Sequence, residues 1–122
     1  MMLLNDFYSI VQQTPAAGSL SAKIAINEHH RILEGHFPGL PIVPGVCMMQ
    51  IVLEMVEVIT GKQVSLVAAD TMKFLSVINP LQNKEIDVAI HYTEDGGQLI
   101  VTANLFAGAV TFFKLKATLK FV

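Results

Sequence analysis

The segment from Glu28 to Gln50 concentrates the residue types that carry acid–base chemistry. Residues 27–44 hold three of the four histidines of the chain, three prolines, two glycines and both charge signs, with no sustained period. Such a stretch predicts a long loop, and loops of this length are often functional. Within it, His36 is our candidate general base, because an imidazole titrates near neutral pH. A lone loop histidine is more often structural than catalytic, so the residues that follow it matter.

A helix is predicted directly after this loop, from Gly45 to Thr60. Pro44 suits the first turn because a helix start needs no N–H there, and Gly61 suits the end. The first N–H groups of a helix are unpaired, and glycine lets another group approach closely. The amide of Gly45 is therefore a candidate donor to a developing oxyanion. The alternative is that Pro44 and Gly45 only mark the start of the helix.

The predicted helix is apolar around most of its circumference, except for one stripe formed by Cys47, Gln50, Glu54 and Glu57. A carboxyl group beside an apolar tunnel is desolvated, and desolvation keeps its proton available near neutral pH. Glu54 is therefore a candidate acid. The alternative is that Glu54 and Glu57 form a solvated edge of the helix.

Cys47 is expected to be packed, and a single cysteine excludes an internal disulfide. The histidines lack ligand spacing, so we expect no metal site.

The elements that must position these residues are mostly strands. Alternation predicts strands at Ser19–Ile26, Lys84–Tyr92, Gln98–Phe106 and Val110–Phe121. Val64–Ile78 is also predicted to be a strand, although it does not alternate cleanly. Gly96, Gly97 and Gly108 suit tight hairpin turns, so the last strands should form an antiparallel meander. Leu3–Gln13 is predicted to be a short amphipathic helix that ends before Pro15.

Five or six antiparallel strands with one helix inserted after the first strand describe an α+β fold, with the sheet wrapped around a central helix. With 122 residues, the chain is expected to form a single domain over residues 1–122. We see no repeat, linker or low-complexity tract.

The composition is unusually apolar. Hydrophobic residues make up 52% of the chain and charged residues 15%, against roughly a quarter in average soluble domains. A small domain of this kind needs a second buried surface, so we expect an oligomer.

The net charge of −2 argues against nucleic acid as a partner. The most apolar window, Ile42–Thr60, contains polar residues and a proline, so a membrane span is not expected. The N-terminus lacks the layout of a signal peptide, and we expect a cytoplasmic protein.

The motif segment resembles a known family. Gly35-His36-Phe37-Pro38, then Pro41-Ile42, then Pro44-Gly45-Val46 is similar to the signature of the 3-hydroxyacyl-[acyl-carrier-protein] dehydratases of type II fatty acid synthesis, which have the hot-dog fold. Met72-Lys73-Phe74 resembles a Lys-Phe pair in the strand after that family's central helix.

The resemblance implies roles for several residues. It implies that His36 is the base, that the Gly45 amide binds the oxyanion, and that Phe37, Pro44 and Val46 contact substrate. It also implies a substrate carried on the phosphopantetheine of acyl carrier protein, with no other cofactor. The expected assembly is a homodimer or higher homo-oligomer, or a heterodimer, with active sites at the subunit interface.

One position departs from the family. Family members have Glu or Asp fourteen residues after the histidine, where this chain has Gln50. Many of them have Gln one turn later, where this chain has Glu54, so the pair looks exchanged and Glu54 is the candidate replacement acid. Gln50 can orient a hydroxyl group or a water molecule but is no acid. Three interpretations remain open: a dehydratase of lipid biosynthesis, a hot-dog thioesterase, and an acyl-binding or partner subunit without turnover.

Overall fold

The computed structural model describes residues 2–34 and 39–122. The elements, numbered in chain order, are β1 (Tyr8–Ala16), β2 (Ser19–Ile26), a short 3-10 turn (Arg31–Leu33), α1 (Gly45–Thr60), β3 (Val64–Phe74), β4 (Glu85–Asp95), β5 (Gln98–Ala107) and β6 (Val110–Phe121).

The strands form an antiparallel sheet in the order β1-β2-β4-β5-β6-β3, six strands within the described residues. The predicted meander of the last three strands is confirmed, and its turns contain Gly96, Gly97 and Gly108 with positive φ. In β6 the alternation predicted from sequence holds: Phe113, Leu115 and Leu119 are buried, while lysines lie exposed between them. One face of the sheet is therefore apolar and packs on the core.

Helix α1 supplies the other half of the core. It has the bounds that the sequence predicted, and Gly61 ends it in the left-handed conformation with φ 68°. Its buried side chains, together with the inner face of the sheet, form one hydrophobic cluster. Pro44 lies one position before the first helical residue, with an extended backbone. The helix follows the second strand and not the first, because an additional strand precedes it.

That additional strand corrects the prediction of a helix at Leu3–Gln13. The chain makes a tight turn at Asn5, whose φ is 65°, and then runs as β1 along β2. The pairing satisfies the main chain of a segment rich in β-branched and aromatic residues, which overrides its weak helical period. Pro15 is tolerated because β1 lies at the edge of the sheet, where a missing N–H costs no ladder bond.

The other edge strand, β3, ends earlier than predicted. It stops at Phe74, and Ile78 is buried outside the strand. The main chain after β3 still binds its neighbours: the Leu75 N–H donates to Phe112, and the Ile78 carbonyl accepts from Val43 N–H at 2.9 Å. These bonds hold the segment after β3 against the residues that lead into α1.

Candidate functional site

A groove of about 460 Å³ lies between the start of α1 and the end of β3. Its lining is largely apolar and comprises Ile42, Val43, Pro44, Gly45, Met48, Phe74, Leu75, Ser76 and Val77. The structure thus brings the Pro-Gly pair of the sequence motif together with Phe74, which the sequence places about thirty residues away. A groove of this character suits an apolar chain that carries a polar group at one end.

The N-terminal end of α1 is a polar feature of the groove. The Pro44 carbonyl accepts from the N–H of Cys47 at 3.0 Å and of Met48 at 3.3 Å, so the N–H groups of Gly45 and Val46 precede the helical ladder. Helix geometry directs such N–H groups out of the helix end. Val46 is 66% exposed, which leaves this end of the helix open. The two amides can donate to an anionic oxygen, and the helix dipole favours that charge.

Gly45 is also required for packing. A Cβ on this residue would lie 2.7 Å from Cε1 and 2.9 Å from Cζ of Phe74. The Phe74 ring, 51% exposed, stacks on Phe113 with the ring centroids 5.1 Å apart. From the sequence, we explained the glycine at position 45 by the need for a carbonyl group to approach its amide closely. The structure adds a second reason, because an aromatic ring lies against this glycine.

Glu54 is buried, with 2% of its surface exposed. Its Oε2 accepts from the Leu3 N–H at 2.7 Å, and its Oε1 accepts from the Leu4 N–H at 2.8 Å and the Tyr8 hydroxyl at 3.0 Å. The interpretation of Glu54 and Glu57 as a solvated edge is therefore wrong. Glu57 is half-buried and accepts from the Val64 N–H at 2.9 Å. Both carboxylates bind main-chain donors of other elements.

Gln50 joins the same carboxylate from within the helix. Its Nε2 donates to Oε2 of Glu54 at 2.8 Å, across one turn of α1. The predicted neighbours on the polar stripe are thus in direct contact. Gln50 itself is half-buried and has no acidic proton.

The sequence analysis missed Tyr8 and the N-terminal turn as partners of Glu54. Burial raises the pKa of Tyr8 above its ordinary range, and the charge of Glu54 raises it further. Burial, followed by the charge of Glu54, also raises the pKa of the Cys47 thiol. Cys47 is therefore a packed, protonated thiol, as expected. No sequence signal reveals these N-terminal partners of Glu54, because they lie about fifty positions away.

The histidines of the described residues have separate surroundings. His30 Nδ1 accepts from the Ile32 N–H at 3.1 Å, while its Nε2 lies 3.0 Å from Oδ2 of Asp6. His30 thereby ties the loop to the N-terminal turn, which is a structural role. Across residues 2–34 and 39–122, no group of ligating side chains forms a metal site. His36 and Phe37 lie outside the described residues, so their roles stay predictions.

The six-stranded sheet and the long helix α1 of the described residues place the chain among proteins of hot-dog-like fold. The dehydratase heterocomplex ApeI:P from Xenorhabdus doucetiae contains a similar chain, with a TM-score of 0.73 and 19% identity over 91% of this chain and 96% of the other. An uncharacterized protein from Erwinia carotovora subsp. atroseptica has a TM-score of 0.66 and 16% identity, covering 93% of both chains. A conserved protein from Pseudomonas aeruginosa has a TM-score of 0.63 and 12% identity, covering 94% and 88% of the two chains.

The family follows from the sequence comparison. The model of the ApeI-like family, described as ApeI dehydratase, matches residues 12–109, and the chain belongs to this family. The match includes the motif segment, Gln50 and Glu54. A comparison with curated proteins finds no significant match. No helix among the described residues has the length and apolar character needed to cross a membrane.

Proposed function

We propose that the protein eliminates water from a 3-hydroxyacyl thioester to give a trans-2-enoyl thioester. The observation that carries this proposal is the open N-terminal end of α1, with the amides of Gly45 and Val46, at an apolar groove in a chain of a dehydratase family. The two amides can donate hydrogen bonds to the thioester oxygen as negative charge develops on it. The groove can bind the acyl chain. Pro44 and Phe37 complete the proposed substrate contacts.

The proposed reaction begins at His36, which takes a proton from C2 of the substrate. The negative charge that develops on the thioester oxygen is stabilised by the Gly45 amide. The electron pair of the broken C2–H bond forms the C2–C3 double bond, and the hydroxyl group leaves C3. The leaving group takes up a proton to become water, and the imidazolium formed at His36 can supply that proton.

We further propose that the acyl group arrives on the phosphopantetheine of acyl carrier protein. Lys114, Lys116 and Lys120 are exposed on β6, and Lys73 lies opposite Lys114 in the ladder. This basic row suits an acidic partner, whereas Lys23 already faces Asp87 at 3.9 Å. Arg31 is also exposed, in the 3-10 turn.

Reversing two charges of the basic row tests this docking surface. The double variant Lys114→Glu/Lys116→Glu should weaken carrier binding, and binding by the unaltered protein should fall as salt is added. Lys23→Glu is the matched control and should bind nearly as well as the unaltered protein. Binding that is insensitive both to salt and to the double substitution contradicts the proposal.

The edge strand β3 is the proposed site of subunit pairing. Leu66, Val67 and Met72 are exposed along an edge of the sheet that has no strand beyond it among the described residues. A second hot-dog subunit, identical or different, would pair with this edge and cover these side chains. Light scattering is the measurement. A particle of 13.3 kDa at micromolar concentration would contradict the proposal, because the apolar edge would then be exposed.

The activity is tested by incubating the protein with 3-hydroxyacyl, 2-enoyl and saturated acyl thioesters, followed by mass spectrometry. Loss of water from the 3-hydroxyacyl thioester, or addition of water to the 2-enoyl thioester, supports the proposal. Hydrolysis of the thioesters would assign the chain as a thioesterase, and no turnover would assign it as a binding or partner subunit. His36→Ala is the control and should remove the water exchange without altering the fold.

A further inference from the structure

We propose that His30 and Asp6 form a pH-sensitive latch between the 3-10 turn (Arg31–Leu33) and the N-terminal turn around Asn5. The latch is closed while the imidazole of His30 is neutral, and protonation of the ring releases the main chain of the 3-10 turn. This turn directly precedes the motif segment in the sequence. The latch is a property of the fold and does not depend on the proposed reaction.

The hydrogen bonds of His30 define the tautomer of its ring. Nδ1 accepts from the Ile32 N–H at 3.1 Å, so this nitrogen carries no proton. Nε2 lies 3.0 Å from Oδ2 of Asp6. An exposed carboxylate is ionised at neutral pH and only accepts hydrogen bonds, so Nε2 must carry the proton. Both contacts are therefore satisfied by the neutral ring that is protonated on Nε2.

Protonation of this ring has opposite effects on its two contacts. Nδ1 would gain a hydrogen, and two N–H donors would then face each other across the 3.1 Å that separates Nδ1 from the Ile32 nitrogen. His30 is the N-cap of the 3-10 turn, so the turn would lose its side-chain cap. The contact with Asp6 would become charge-assisted and therefore stronger. The imidazolium thus keeps Asp6 and releases Ile32.

Further contacts confine the opening to the 3-10 turn. The Asn27 side chain donates to the Asp6 carbonyl at 3.1 Å, and the Asn27 N–H donates to the Phe7 carbonyl at 2.7 Å. The buried ring of Phe7 meets the His30 ring at 90°, with the centroids 5.3 Å apart. Neither Asn27 nor Phe7 titrates, so these contacts persist when His30 is protonated. They hold the imidazole and the N-terminal turn in place while the cap is lost.

The charges around the ring leave His30 as the group that titrates. Within the described part of the chain, Asp6 is the charged group in contact with the imidazole, whose side chain is 14% exposed. Glu28 on the same loop pairs with the next residue of the chain instead, and Arg31 is exposed. Lys84 lines a surface pocket together with Asp6. Imidazoles change charge between about pH 5 and pH 8, and the latch therefore responds in that range.

The test follows hydrogen exchange of the Ile32 N–H by NMR between about pH 8 and pH 5. Measured against the intrinsic exchange rate at each pH, its protection should fall on the order of tenfold as His30 becomes protonated, which is the effect of losing one hydrogen bond. The Asn27 N–H, which donates to Phe7, is the internal reference and should keep its protection. ¹⁵N spectra of the histidine rings should show the proton of His30 on Nε2 at about pH 8.

Two variants separate the effect of this ring from that of its surroundings. In His30→Asn, the side-chain oxygen can cap the same turn at every pH, so the protection of the Ile32 N–H should no longer depend on pH. His29→Asn is the matched control, because it removes the neighbouring exposed imidazole and leaves the cap in place. This control should keep the pH dependence of the unaltered protein.

The proposal is overturned if the protection of the Ile32 N–H is equal at both ends of the pH range, or if it falls as much in His30→Asn as in the unaltered protein. A parallel loss at Asn27 would assign the change to general unfolding and would also overturn it. A proton on Nδ1 of His30 at about pH 8 would contradict the closed state itself. Three of these measurements use the unaltered protein, so they decide the matter even if His30→Asn does not fold.

Discussion

The ring of Phe74 lies against the Cα of Gly45 and occupies the space that a side chain at position 45 would need. This contact joins the end of β3 to the first residue of α1, which are both part of the apolar groove. Phe74 in turn stacks on Phe113 of β6. The position of the helix start relative to the sheet therefore depends on a glycine–aromatic pair.

Gly45→Ala should destabilise the protein by about 1–3 kcal/mol, the usual range for an overpacked contact, because Cβ would lie 2.7 Å from the Phe74 ring. In a Phe74→Ala background the same change should cost less or stabilise, because alanine favours the helix by about 1 kcal/mol. Urea unfolding of the two single variants and the double variant measures the coupling. An equal cost of Gly45→Ala in both backgrounds would show that the ring is not the obstacle.

Glu54→Gln should lower the free energy of unfolding by at least about 2 kcal/mol, because one amide oxygen cannot replace two carboxylate oxygens that accept from buried donors. Glu57→Gln is the matched control on the same helix. Glu57 binds the Val64 N–H through Oε2, and an amide oxygen can still accept that bond. The control should change stability by less than about 1 kcal/mol. Similar losses in the two variants would contradict the structural role of Glu54.

The raised pKa of Tyr8 predicts that the folded protein loses stability at alkaline pH. Its pKa is raised by burial and by Glu54 above the ordinary value of 10.0, so the folded protein keeps the phenol proton after the unfolded chain has released it. The unfolded state then binds fewer protons, and the free energy of unfolding falls as pH rises above 10.0, by up to about 1.4 kcal/mol per pH unit. Below that pH the contribution of Tyr8 is fully present.

Urea unfolding of Tyr8→Phe on both sides of that pH isolates this effect. The variant should be less stable near neutral pH by about 1 kcal/mol, since it lacks the hydrogen bond to Glu54. Its decline above pH 10.0 should be shallower than that of the unaltered protein. Parallel declines in the two proteins would assign the alkaline loss to other groups.

Gln50→Glu should raise the rate of dehydration. The new carboxyl group would lie close to Glu54, where Nε2 now stands 2.8 Å from Oε2, and like charges at that distance force one of the two to keep a proton. That proton would provide an acid at the position where the resembled family carries one. General acids contribute roughly 100- to 10,000-fold, so a gain of at least about tenfold in kcat is expected.

The pH–rate profile identifies the cause of such a gain. The added activity should fall as pH rises, because an acid acts only while it is protonated. Gln50→Met provides the control, since it offers neither a proton nor an acceptor, and it should show no gain. A pH-independent gain, or an equal gain in both variants, would contradict the assignment of an acid at position 50.

The sequence by itself determined the elements whose signals are local. Alternation along Val110–Phe121 predicted β6 with its bounds, since side chains of a strand point to opposite faces wherever the strand lies. Gly45 and Gly61 likewise bounded α1, because helix ends are marked by residues at the ends themselves. The motif around His36 also indicated the dehydratase family through local spacing.

Only the tertiary structure decided what Leu3–Gln13 and Glu54 do. The N-terminal segment has a weak period of its own, and its conformation is set by pairing with β2 and by the Glu54 carboxylate, about fifty residues away. The sequence correctly predicted that Glu54 lies on a polar stripe of the helix. It did not indicate that Glu54 is buried against hydrogen-bond donors of the N-terminal segment instead of facing solvent. A side chain's burial and its hydrogen-bond partners depend on long-range packing, which one chain's periodicity does not encode.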